Sequence, residues 1–294
     1  MDVYDRPAPE LQTMPLGLYD VTQLAVLGAF FALFAYFVYS WNSKEEVSVR
    51  YRPSVLAGLC LSGVAMIAYA LLYSNLRSGF TLEGDVYVPS EAALYTIGTR
   101  YIDWSITVPL LMVELLAVCS ISGARARSLR FTTMAAAFLM IVTGYVGNTV
   151  AGQGRDIFAL VVWGTISTGF LVYLYVALVG VVRRSLPPMG TEAAASLRNA
   201  TVVLLGSFGI YPLVYAIPVF VDVTPAWFTA IQVGYSTLDV VAKVGFGVLI
   251  HKVAKLRTAE DVVAGVDTHP ESLWRSNVHL SDAVLPELRR MSPG

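Results

Sequence analysis

Charge is scarce in this chain. Only 14% of its 294 residues are Asp, Glu, Lys or Arg, against about 25% in an ordinary soluble domain. With 56% apolar residues and a mean hydropathy of +0.63, that scarcity excludes a soluble globular domain. The same apolar content and a net charge of only -1 exclude a disordered chain. Basic and acidic residues balance, 20 against 21, so there is no electrostatic footprint for nucleic acid. Cysteine is nearly absent: Cys60 and Cys119 lie far apart in apolar runs and make no disulfide framework. Histidine is scarce, at 3 residues, and none lies deep inside a spanning run: His251 sits at the inner end of the last one, and His269 and His279 follow it. No basic stretch precedes an apolar one between Met1 and Gln12, so a cleavable signal peptide is not expected.

Long hydrophobic runs are what the chain has in quantity. A bilayer core asks for roughly 20 mainly apolar residues per helix. Seven segments meet that length: 20–41, 53–75, 92–119, 131–150, 157–182, 197–221 and 226–252. Helix-stopping chemistry separates them: Asn42-Ser43-Lys44 after the first, Arg52-Pro53 at the start of the second, Leu186-Pro187-Pro188-Met189-Gly190 after the fifth, Asp222-Val223-Thr224-Pro225 after the sixth. The second connection, Phe80 to Val88, alternates around Gly84 and predicts a short hairpin cap. The expected fold is an all-α membrane protein, a seven-transmembrane-helix bundle.

Orientation follows from the basic residues, which favour cytoplasmic loops. Lys44, Arg50, Arg52, Arg125, Arg127, Arg130, Arg183, Arg184, Arg198, Lys252, Lys255 and Arg257 gather on one side, and only Arg6, Arg77 and Arg155 on the other. The N-terminus is therefore expected outside and the C-terminus in the cytoplasm. The division is an extracellular tail over 1–17, a helical domain over 18–255, and a polar cytoplasmic tail over 256–294 with one short amphipathic turn near Leu280 to Leu288.

Ionisable groups inside apolar spans are costly and are usually paired or functional. The third segment holds Arg100, Asp103 and Glu114, and the seventh holds Asp239 and Lys243. Lys243 lies mid-span, one helical turn after Asp239 and on the same face. One reading is a buried ion pair joining two helices. The other is a Schiff-base lysine, since a buried amine reacts readily with a carbonyl ligand, and its cationic product needs carboxylate counterions. Asp103 and Thr107 share a face of the third segment. Glu114 stands eleven residues past Asp103, roughly 20° off that face and about 16 Å further along the axis. Two carboxyls on one stripe, with an amine between them, make a proton path with an outer acceptor and an inner donor. Arg100 is expected to favour the ionised form of Asp103, and apolar neighbours to keep the proton on Glu114.

Arg100-Tyr101-Ile102-Asp103-Trp104-Ser105-Ile106-Thr107-Val108-Pro109-Leu110-Leu111, together with Asp239-Val240-Val241-Ala242-Lys243-Val244-Gly245-Phe246-Gly247, resembles the microbial (type I) rhodopsins, over about 18–255. The resemblance implies all-trans retinal bound covalently as a Schiff base on Lys243, with Asp103 as primary counterion and proton acceptor and Asp239 as second counterion. It also implies Thr107 beside the acceptor and Glu114 as internal donor. The Asp-Thr-Glu triplet is similar to that of the outward proton pumps of the proteorhodopsin and xanthorhodopsin group. Trp104, Tyr211 and Pro212 are similar to residues walling the polyene, and Met140 and Gly144 to residues near its ring; Ala242 adjoins the lysine. Leu111 implies a green-absorbing pigment. Phe208 and Tyr215 stand where the family usually has tryptophans, and the histidine that proteorhodopsins place beside the acceptor is missing. Gly164 is either a packing glycine or, as in xanthorhodopsin-like proteins, a window for a carotenoid antenna.

The expected function is a light-driven outward proton pump in the plasma membrane, not an enzyme, with protons as cargo, the lipid bilayer as surroundings, and no metal or ATP. The resemblance implies a homo-oligomer, trimer or pentamer. A photosensor signalling through helix movement or the tail is the alternative, and a retinal-free transporter or receptor the more distant one. Asp222 and Glu83 are the candidates for proton release.

Overall fold

The computed structural model describes residues 8–266. Residues 1–7, with Arg6, and the tail from 267 onward, with His269, His279 and the turn expected at Leu280 to Leu288, lie outside the described residues.

A short strand, β1 (Met14–Pro15), leads into α1 (Leu16–Ser43). Helix α2 (Arg52–Gly79) opens with Pro53 in its first turn, where the missing N–H has no bond to lose. The predicted hairpin follows as β2 (Phe80–Glu83) and β3 (Val86–Pro89). Gly84, at φ +63°, makes the turn that pairs Glu83 with Val86. β3 also pairs with β1, Met14 opposite Tyr87, so the cap is a three-stranded sheet of order β1-β3-β2. Local alternation predicted the hairpin; the third strand is a long-range pairing and carries no local signal.

Helix α3 (Tyr95–Ala117) follows a 3-10 turn over Glu91–Leu94. Then come α4 (Gly123–Tyr145), which continues as a π-helical turn over Val146–Val150, and α5 (Ile157–Ser185), capped by Asp156, whose carboxylate accepts from the Ala159 N–H at 3.1 Å. Helix α6 (Thr191–Tyr215) passes into a single turn, α7 (Ile217–Phe220), with Pro218 near its start. The last span is α8 (Pro225–Asp239), a π-helical stretch over Val240–Gly245, and α9 (Phe246–Val263). Six of these spans are long and apolar enough to cross a membrane; α3, which carries Arg100, Asp103 and Glu114, is the seventh. The expected seven-helix bundle is what the chain forms.

Three boundaries differ most from the expectation. α4 begins at Gly123 rather than near 131, α6 at Thr191 rather than 197, and α9 runs to Val263 rather than 252. Apolarity marks the hydrocarbon slab, whereas helices carry Arg125, Arg127, Lys255 and Arg257 on beyond it into the polar boundary. The core comprises one large apolar cluster centred on α3, α5, α6 and α9, and a second beneath the cap between α1 and α2.

Candidate functional site in the bundle core

Lys243 sits in the π-helical stretch of the last span, where the backbone widens by one residue per turn. Such bulges re-aim side chains and concentrate at functional sites. The lysine is 1% exposed. Its Nζ lies 2.5 Å from Asp103 Oδ2 on α3 and 3.4 Å from Asp239 Oδ1, one turn back on its own helix. Three charges are thus enclosed together, which a protein interior tolerates only when they are paired and hydrogen-bonded.

The two carboxylates are held differently. Asp239 accepts from Tyr69 Oη at 2.7 Å, from Tyr211 Oη at 2.5 Å, and from Trp104 Nε1 at 3.0 Å. Asp103 receives Lys243 on one oxygen, while among the described residues its buried Oδ1 meets no donor. Thr107, beside it on the same face, spends its hydroxyl on the Asp103 carbonyl at 2.9 Å. Besides the lysine, three donors hold Asp239, and among the described residues none reaches the Asp103 side chain.

Arg100 does not bond to Asp103. It donates to Gln232 Oε1 from Nε at 3.2 Å and from Nη2 at 2.9 Å, to Ser236 Oγ at 3.2 Å and to Tyr69 Oη at 3.0 Å; Asp239 Oδ2 is 3.9 Å away. Helical side chains lean toward the N-terminus, so a long side chain one turn before Asp103 reaches away from it, toward α8. Tyr69, Gln232 and Ser236 were not anticipated. Gln232 and Tyr69 are polar groups within apolar runs, and that is the signal the sequence carries for them.

Glu114 lies further along α3, toward the basic loops, 1% exposed. Its Oε1 accepts from Tyr36 Oη of α1 at 3.2 Å, and among the described residues its Oε2 meets no donor. The notch that holds this pair depends on two glycines. A β-carbon on Gly58 would stand 2.7 Å from Tyr36 Oη and 3.0 Å from Glu114 Oε1, and one on Gly247 would overlap the same hydroxyl.

A cavity of about 370 Å³ opens from Lys243 toward α5. Trp104, Leu111, Met140, Gly144, Phe208, Tyr211 and Tyr215 line it, with Ala242 next to the lysine in the chain. Trp104 packs edge-on against Tyr211 and Tyr235, with ring centroids 5.4 and 5.0 Å apart. Gly164 also borders the cavity, and the ring of Tyr215 fills the space a side chain there would need: an added β-carbon would be 2.8 Å from its Cε1. Glu114 and Thr107 are not part of this wall.

At the capped end of the bundle, Glu10 is buried, at 6% exposure. Burial pushes its carboxyl up to about 7, opposed by a backbone hydrogen bond and by Arg155. Glu83 and Asp222 are exposed.

The bacteriorhodopsin-like protein family matches residues 20–256. Sensory rhodopsin-2 of Natronomonas pharaonis is 30% identical over 256 residues, covering 84% of this chain and 96% of that protein. Archaerhodopsin-1 of Halorubrum ezzemoulense is 26% identical over 242 residues, covering 81% of this chain and 83% of that protein. The structure of xanthorhodopsin, described as a light-driven ion pump with dual chromophore, superposes with a TM-score of 0.76 at 30% identity, over 86% of this chain and 99% of that one. The chain belongs to the bacteriorhodopsin-like family, the microbial type I rhodopsins, multi-pass membrane proteins that are light-driven pumps or sensors rather than enzymes.

Proposed function

We propose that the protein is a light-driven outward proton pump carrying all-trans retinal on Lys243, with the capped end outside and the basic loops in the cytoplasm. The observation that carries this reading is the enclosed contact between Lys243 Nζ and Asp103 Oδ2 at 2.5 Å, with a second buried carboxyl, Glu114, on the same helix toward the opposite side. The residues fit the ligand class. A rod-like apolar molecule ending in a carbonyl needs an amine at the closed end of an aromatic slot, which Lys243, Trp104, Tyr211 and Phe208 supply. Retinal supplies light absorption and an isomerisation that lowers the proton affinity of the nitrogen it is bound to.

The remaining work falls to the chain. Asp103 takes the proton from Nζ on Oδ2, the oxygen already 2.5 Å from it, while three other donors hold Asp239 in its ionised form. Asp239, fixed by Tyr69, Tyr211 and Trp104, keeps a negative charge beside the nitrogen. Arg100, poised among Gln232, Ser236 and Tyr69, carries the positive charge that responds when Asp103 becomes neutral. Glu114 returns a proton to Nζ from the other side. An ionised carboxylate with one hydroxyl partner is costly to bury, so Glu114 stores that proton between cycles. Direction follows from two carboxyls reached from opposite faces of the membrane.

Space beside Gly164 is taken by Tyr215, which supports close helix packing there rather than a carotenoid antenna; energy transfer from an added hydroxylated carotenoid would overturn that. The pump itself is tested by illuminating cells that make the protein in unbuffered salt. Acidification abolished by a protonophore supports it. No pH change, with a photocycle lasting seconds, makes the protein a sensor like its similar relative.

A further inference from the structure

Helix α1 is strongly apolar, yet it turns a stripe of hydroxyls inward. Tyr36, Ser40 and Ser43 are 4%, 2% and 3% exposed. Their spacing keeps them within about 60° of arc while advancing about 10 Å along the axis. At one end of the stripe Tyr36 bonds Glu114 at 3.2 Å. At the other, the loop after α1 brings Glu46 against α9, its Oε2 3.6 Å from His251 Nε2 and paired with Lys255. His251 is 4% exposed and packs edge-on against Tyr39, ring centroids 5.3 Å apart. Among the described residues its buried Nε2 has no hydrogen-bond partner. It also follows Gly247 by one helical turn, and Gly247 is where α9 gives way to the Tyr36 hydroxyl. The Glu46 side chain is 19% exposed, so this end of the seam meets solvent.

We propose that the seam Glu46–His251–Ser43–Ser40–Tyr36 is the route by which Glu114 regains its proton from the cytoplasmic medium; the direction rests on the reading of Glu114 as donor. Each group both donates and accepts: hydroxyls do so by rotation, and imidazole by exchanging protons between its two nitrogens. Single waters bridge such groups where they do not touch. A proton entering at Glu46 passes to His251, displaces one along the hydroxyls and ends on the Glu114 carboxylate; the hydroxyls then rotate back and the imidazole returns to its first tautomer, ready for the next. Tyr39 from α1 and Glu46 and Lys255 beside it are the titratable neighbours of His251. A merely structural role, tying the first loop to α9, would not require the hydroxyl stripe to continue inward to Glu114.

The experiment reads Glu114 directly, without light. The full-length chain in lipid vesicles is mixed with D2O in the dark, and the infrared carboxyl stretch of Glu114, identified by its loss in Glu114→Gln, is followed as it exchanges. His251→Phe and Ser40→Ala should slow that exchange about tenfold or more, and added imidazole should restore the rate in His251→Phe. Glu46→Gln, at the partly exposed end, should slow it without threatening the fold. Unchanged exchange in all three variants overturns the seam, as does slowing in His251→Phe that imidazole leaves untouched. Dark exchange does not depend on pumping, so failure of the pump reading would show separately, as wild-type cells that do not acidify their medium.

Discussion

Lys243 and Asp103 stand 140 positions apart in the chain and meet at 2.5 Å in the centre of the bundle. The contact joins the last span to the third, and every expected property of the site depends on it.

Lys243→Ala should leave the purified protein colourless after addition of all-trans retinal, because among the described residues no other amine borders the cavity. Absorbance between the near-ultraviolet and the red checks this. A pigment formed in this variant places the attachment elsewhere.

Asp103→Asn should move the visible band to longer wavelength and stop light-driven acidification. Removing a negative charge 2.5 Å from the nitrogen destabilises the resting cation more than the excited state, in which the positive charge has moved away. Sustained acidification in this variant would show that Asp239 can accept in its place.

Glu114→Gln should leave the colour nearly unchanged, since the residue lies outside the cavity wall. It should slow return of the proton to the Lys243 nitrogen by about a hundredfold, the scale of a lost general acid. Flash photolysis measures that return; an unaltered rate would remove Glu114 from the donor role.

Glu10 gives a pH dependence at the capped end. The folded chain holds this proton up to about pH 7, whereas the ordinary value is 4.5. The folded state therefore binds the extra proton between those values, and stability from this group, complete below pH 4.5, is lost as pH rises through 7. Glu10→Gln should raise the melting temperature at about pH 8.5, by a free energy of up to about 3 kcal/mol, and change little near pH 4. Equal shifts at both pH values would mean the carboxyl is not buried in solution.

Gly247→Ala should lower stability by about 1–3 kcal/mol through overpacking against Tyr36. It should also weaken the Tyr36–Glu114 hydrogen bond, visible as a shift of the Glu114 carboxyl band. A melting temperature equal to that of the wild type would mean that α1 moves aside at no cost.

Much of this protein is written locally. Stretches of roughly 20 apolar residues can satisfy their backbone in a bilayer only as helices, so the number of spans, their order and the placement of Lys243, Asp103, Glu114 and Asp239 within them follow from composition and period alone. What could not be read there are the partnerships across helices. Nothing in the spacing of Arg100 and Asp103 reveals that the guanidinium turns to Gln232 and Ser236. Nothing near Tyr36 announces Glu114, and nothing near Met14 announces Tyr87. Hydrophobic period tells which face of a helix turns inward; which residues then meet depends on how the helices pack, and that is settled only when the whole bundle closes.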